Sequence, residues 1–141
     1  DQVRWVDDSK ATNSHAARAS IRSFDRVVWV AGGLAKGAEY EDLIQDVRDR
    51  LAAVVLIGAD KALIADALAR FAPEVPVTLI DGPPDAVEIM DQVVRAAAEF
   101  AAPGETVLLA PAAASMDQFR DYAHRGEAFA EAVRRHHNLK T

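Results

Sequence analysis

Four short apolar runs rich in β-branched residues recur along the chain, at Val27 to Val30, Val54 to Ile57, Val77 to Ile80 and Val107 to Ala110, with Gly, Pro or Asp close by. Runs of this length between turn residues read as buried strands. The segments between them place apolar residues three or four apart: Leu43, Ile44, Val47 and Leu51; Leu63, Ile64, Ala67, Leu68 and Phe71; Ala86, Met90, Val93 and Ala97. That spacing puts each set on one helical face. A further helix is predicted to begin near Asn13, and a long last one to carry Phe119, Tyr122, Phe129 and Val133 on one stripe. Val3 to Val6 supplies a possible edge strand.

Strands alternating with helices predict βαβ units with right-handed crossovers. The fold class is then α/β and Rossmann-like, a mainly parallel sheet of about five or six strands with helices on both faces. Such sheets bind ligands in the crevice beyond the C-terminal ends of their strands. Three polar loops fall there: Asp7 to Asn13 after the first strand, Gly32 to Gly37 after the second, and Pro111 to Ser115 after the last. They are expected to meet on one rim.

The length of 141 residues and 50% hydrophobic content fit one domain over residues 1–141. A net charge of -6 without any run of basic residues argues against nucleic acid as a partner. No apolar run approaches the roughly 20 residues needed to cross a bilayer, and the N-terminus lacks signal-peptide features, so no membrane role and a cytoplasmic location are expected. Having no cysteine excludes disulfides and thiolate chemistry. His15, His124, His136 and His137 lack zinc-site spacing, and no metal site is predicted. Neither a Ser/His/Asp nor a Cys/His constellation is present.

In the first loop, Asp8 is suited to accept hydrogen bonds from a ribose, Lys10 to meet a carboxylate or phosphate, and Thr12 to donate to the same anion. The plainer alternative is that Thr12 or Asn13 caps the next helix and Lys10 is a solvated turn residue. In the second loop, Gly32 and Gly33 permit positive φ and close backbone approach, with Lys36 following. It is neither a Walker A nor a G-x-G-x-x-G sequence. Ser115 and Gln118 form a plausible capping box for the last helix, whose N-terminus would favour an anion. His15 reads as a packing or capping residue. His136 and His137 fall in a basic tail, Arg134 to Lys140, that complements the helix C-terminus. Asp81-Gly82-Pro83-Pro84-Asp85 reads as a turn into an N-capped helix.

The string Asp7-Asp8-Ser9-Lys10-Ala11-Thr12-Asn13, continuing as Ser14-His15-Ala16-Ala17, resembles the DDSKATN(P)HAA signature that opens the C-terminal domain of the D-glutamate-adding branch of the Mur ligase family. Leu109 to Phe119 resembles the family's LLSPAxASxDQF segment, and Arg125-Gly126-Glu127-x-Phe129 its RG-x-x-F continuation. The chain departs from the pattern at Ser14, where proline is frequent, at Ala110 and Ala113, and at Tyr122, where phenylalanine is usual.

The resemblance implies an ATP-dependent, ADP-forming ligase of peptidoglycan precursor synthesis that joins D-glutamate to UDP-N-acetylmuramoyl-L-alanine. Lys10, Thr12, Lys36, Ser115 and Tyr122 would bind D-glutamate, and Asp8 the ATP ribose. No residue here would be catalytic. The chemistry, with its P-loop and Mg2+, would belong to a central ATPase domain and the UDP substrate to an N-terminal one, leaving this chain as a monomeric C-terminal third, inactive alone. Two other readings are a domain of a related amide ligase, from another Mur branch or of the folylpolyglutamate synthase type, and a non-catalytic Rossmann-like binding module.

Overall fold

The computed structural model of the chain describes residues 2–82 and 85–140, and the side chains of residues 139 and 140 stand outside that description. Its strands are β1 (Arg4–Asp7), β2 (Val27–Gly32), β3 (Leu51–Ile57), β4 (Val77–Leu79) and β5 (Thr106–Leu109). They alternate with α1 (Ser14–Ile21), α2 (Glu41–Val47), α3 (Lys61–Phe71), α4 (Ala86–Phe100) and α5 (Tyr122–Lys140). The five strands form one sheet in the order β1-β5-β2-β3-β4, and every neighbouring pair is parallel. The predicted α/β, Rossmann-like class and the edge position of the first strand are therefore observed.

Strand periodicity divides the core. Trp29, Val54, Leu56 and Leu108 face α1, α2 and α3, whose Ile21, Leu43, Ile44, Ile64 and Leu68 cover them. Val28, Val30, Val55, Val107 and Leu109 face α4 and α5, against Ile89, Met90, Val93 and Phe129. All six residues of β2 are buried, which is why its run is apolar without alternation. Each large side chain so enclosed contributes about 1.5–3 kcal/mol.

Several expectations are corrected. Val77 to Ile80 is not a buried central strand: β4 lies at the sheet edge, with Val77 and Leu79 exposed. Leu51 does not extend α2, because a 3-10 turn at Arg48–Arg50 ends the helix and Leu51 starts β3. The last helix begins at Tyr122, where Asp121 accepts the His124 N–H at 2.8 Å, so Asp121 rather than Ser115 caps it. Ser115 and Gln118 form a turn through the Ser115 carbonyl instead of a capping box. Phe119 is buried ahead of the helix, and Tyr122 is exposed rather than part of the core stripe.

Asp85 caps α4 through the Val87 N–H, as the turn sequence predicts, while Pro83 and Pro84 lie outside the described residues. His15 is exposed, and the cap of α1 is Asn13. His136 and His137 lie against the Trp5 ring, with centroids 6.1 and 6.0 Å away, so they join an aromatic cluster. No described helix is long and apolar enough to cross a membrane.

Candidate functional site

The strands β1, β5 and β2 are adjacent, so the loops leaving their C-terminal ends must be neighbours. Backbone hydrogen bonds join them. The Ala112 N–H donates to the Ala11 carbonyl at 2.9 Å, and Leu34 and Ala114 exchange both bonds at 2.9 Å in an isolated antiparallel bridge. The expected meeting of three loops on one rim is thus observed. A fourth loop, after β3, joins them: the Asp60 N–H donates to Gly33, and its carboxylate accepts the Ala35 N–H at 2.8 Å.

The predicted residues take distinct places on this rim. Asp8, Lys10 and Tyr122 line one cleft of about 160 Å3, together with Asp7, Ser9, Ala123 and Gly126. Lys36 and Ser115 do not line that cleft, but each lies close in sequence to the Leu34–Ala114 bridge. Thr12 follows Ala11, which is bonded to Ala112. Asn13, not Thr12, caps α1 by accepting the Ala16 N–H at 2.8 Å, which leaves the Thr12 hydroxyl for other use. Lys10 and Lys36 are exposed, and among the described residues neither forms an ion pair. Two unneutralised ammonium groups on one rim favour an anionic ligand.

The glycine pair does what its sequence predicts. Gly32 and Gly33 have φ of 117° and 144°, and a β-carbon on Gly33 would overlap the Ala114 carbonyl oxygen. Lys36 itself adopts φ 52°, a left-handed conformation that costs a lysine on the order of 1 kcal/mol. Asp8 brings a carboxylate to the same cleft wall as Lys10 and Tyr122. Among the described residues no three His, Cys, Asp or Glu side chains converge as a metal cluster.

A family model described as "Mur ligase, glutamate ligase domain" matches residues 1–113. The chain belongs to the Mur ligase family. It is 61% identical to a UDP-N-acetylmuramoylalanine--D-glutamate ligase of Frankia casuarinae, aligned over 95% of this chain and 27% of that protein. It is 56% identical to the protein of the same name from Streptomyces coelicolor, over 95% of this chain and 28% of that one. The chain therefore spans under a third of the length of these curated relatives. A solved structure of Mycobacterium tuberculosis folylpolyglutamate synthase aligns with 86% of the chain, covering 28% of that protein, at 15% identity and a TM-score of 0.49.

In this Mur ligase domain the third loop is held by residues that were given no role from sequence, although Arg125 falls in the RG-x-x-F match. Its carbonyls at Ala110, Ala112 and Ala113 accept hydrogen bonds from Trp29 Nε1 (2.7 Å), the Tyr40 hydroxyl (2.9 Å) and Arg125 Nη1 (3.1 Å). All three donor side chains are buried. Because Pro111 and the alanines have no side-chain donors, each carbonyl left unmatched would cost about 1–3 kcal/mol. Burial lowers the Arg125 pKa to about 10 against the pull of Asp117 and Asp7, so the guanidinium stays charged at neutral pH. Burial, helped by the Asp60 charge, raises the Tyr40 pKa to about 12. Asp117 accepts the Ala59 N–H at 2.7 Å and so ties the fourth loop to the third. Beside that match, Gly126 was itself a signal, a glycine inside a helical pattern: a β-carbon there would lie 2.5 Å from an Asp7 carboxylate oxygen.

Proposed function

We propose that this chain is the C-terminal, amino-acid-binding domain of the ATP-dependent ligase that joins D-glutamate to UDP-N-acetylmuramoyl-L-alanine. The observation that carries the reading is the rim itself, where three loops joined by backbone hydrogen bonds bear two lysines without ion-pair partners. Relatives 56–61% identical carry the D-glutamate ligase name, which supports this branch over other amide ligases and over a non-catalytic module.

In the proposed reaction the muramoyl-L-alanine carboxylate takes the γ-phosphoryl group of ATP and ADP leaves. The D-glutamate amine then attacks the acyl carbon, phosphate leaves, and the amine proton is lost. Lys10, Thr12, Lys36 and Ser115 neutralise and orient the two D-glutamate carboxylates, with Tyr122 bordering them, and Asp8 accepts from the ATP ribose. Holding an amine at attack distance is worth on the order of 7 kcal/mol or more in favourable cases. Magnesium and the UDP substrate belong to central and N-terminal domains outside this chain, and the complete enzyme is a cytoplasmic monomer.

The test is Lys10→Ala and Lys36→Ala in the complete ligase, with KM measured for each substrate. D-glutamate KM should rise or turnover fall, with UDP-substrate binding nearly unchanged. Equal loss of UDP-substrate affinity would contradict the assigned roles.

A further inference from the structure

Ser9, the residue before Lys10, is held on every polar atom. Its N–H donates to the Asp7 carboxylate at 3.0 Å, its hydroxyl accepts from Arg125 Nε at 2.8 Å, and its carbonyl accepts from Arg125 Nη2 at 2.9 Å. The remaining guanidinium nitrogen, Nη1, reaches the Ala113 carbonyl two residues before Ser115. One fully buried fork therefore fixes the first loop against the third.

Arg125 also sits in the first turn of α5, whose first residue, Tyr122, lines the cleft. The Asp7 side chain rests against Gly126, where a larger residue would displace it. Asp7 and Arg125 thus hold Ser9 between them by three hydrogen bonds, and Arg125 ties the residue before Lys10 to the loop that carries Ser115.

We propose that Arg125 is a positioning residue acting through Ser9, which lines the cleft: the Arg125 fork sets the distance between the Lys10 and Ser115 loops and thereby tunes the rim for its ligands. This rests on the D-glutamate ligase reading. A lysine at 125 keeps the positive charge but has no planar fork, so it cannot meet Ser9 twice and Ala113 once in the same geometry. Ser9→Ala removes only the hydroxyl acceptor and leaves the backbone bond.

The experiment uses the complete ligase carrying Arg125→Lys, Arg125→Met or Ser9→Ala, with melting temperature and separate KM values for D-glutamate, ATP and the UDP substrate. Arg125→Lys should restore most of the melting temperature lost in Arg125→Met. It should nevertheless keep D-glutamate and ATP KM raised roughly tenfold, with UDP-substrate KM within about twofold of wild type. Ser9→Ala should show the same split at smaller size, and it decides the matter if neither Arg125 variant is soluble. Wild-type kinetics in the variants, or a uniform fall in kcat with all three KM values unchanged, would overturn the positioning role. A wild-type enzyme indifferent to D-glutamate would instead sink the functional reading on which it rests.

Discussion

Replacing Tyr40 by Phe isolates one of the three bonds that hold the rim's third loop. Tyr40 is 1% exposed and its hydroxyl donates to Ala112, an alanine held at φ 59°. Deleting the hydroxyl leaves that carbonyl without this donor, at a cost of about 1.5 kcal/mol near neutral pH. Raising the pH changes the comparison. The folded pKa, raised to about 12, exceeds the ordinary value of 10.0, so its stabilisation is complete below pH 10 and is lost as pH rises through 12. At pH 11 wild type alone should have lost about 1.4 kcal/mol, which nearly cancels its advantage.

The lowered Arg125 pKa acts with the opposite sign in the same window, but both proteins share it and it drops out of the difference. Urea unfolding of wild type and Tyr40→Phe, followed by circular dichroism at pH 8, 9, 10 and 11, reads the effect. The stability gap should shrink steadily above pH 10 and close near pH 11. A gap of the same size at pH 8 and pH 11 would refute the buried, hydrogen-bonded phenol.

Gly33→Ala should destabilise the domain by more than about 2 kcal/mol, because the new methyl overlaps the Ala114 carbonyl. Gly37→Ala, with φ 82° but open space, should cost only about 1 kcal/mol of backbone strain. Equal melting temperatures for the two would contradict the close loop contact. Gly126→Ala should gain about 1 kcal/mol of helix propensity yet displace Asp7 from Ser9, so thermal stability should change little while D-glutamate affinity in the complete ligase falls. A more stable protein with unchanged affinity would oppose that account.

The buried strands were legible in sequence because a strand covered on both faces leaves a continuous apolar run, as β2 and β5 do. Val77 to Ile80 has the same composition, but a run cannot report that its strand has a neighbour on one side only. Leu51 fits helical spacing from Val47 equally well, and only the 3-10 turn at Arg48–Arg50 decides for the strand. Ser115 and Gln118 carried a true capping pattern that lost to Asp121, while Asp117 between them is drawn to the Ala59 N–H.

The meeting of the rim loops was legible because contiguous polar motifs fall on loops whose place the βαβ alternation dictates. The buried pairings beneath them were not, because the partners are far apart in the chain: Trp29 and Ala110 lie 81 residues apart, Tyr40 and Ala112 lie 72 apart, and Arg125 and Ser9 lie 116 apart, each of this last pair in a recognised motif with nothing to join the two. No local spacing rule encodes such pairs, and a buried arginine in an otherwise polar helix turn reads as surface until the fold is known.

The most direct test of the central claim is phosphate release on mixing this chain with ATP, magnesium, UDP-N-acetylmuramoyl-L-alanine and either D- or L-glutamate, with and without the separately expressed upstream domains, each piece being verified as folded. Release is expected only when both pieces and D-glutamate are present. Release by this chain alone, or none when the folded pieces are combined with D-glutamate, would contradict it.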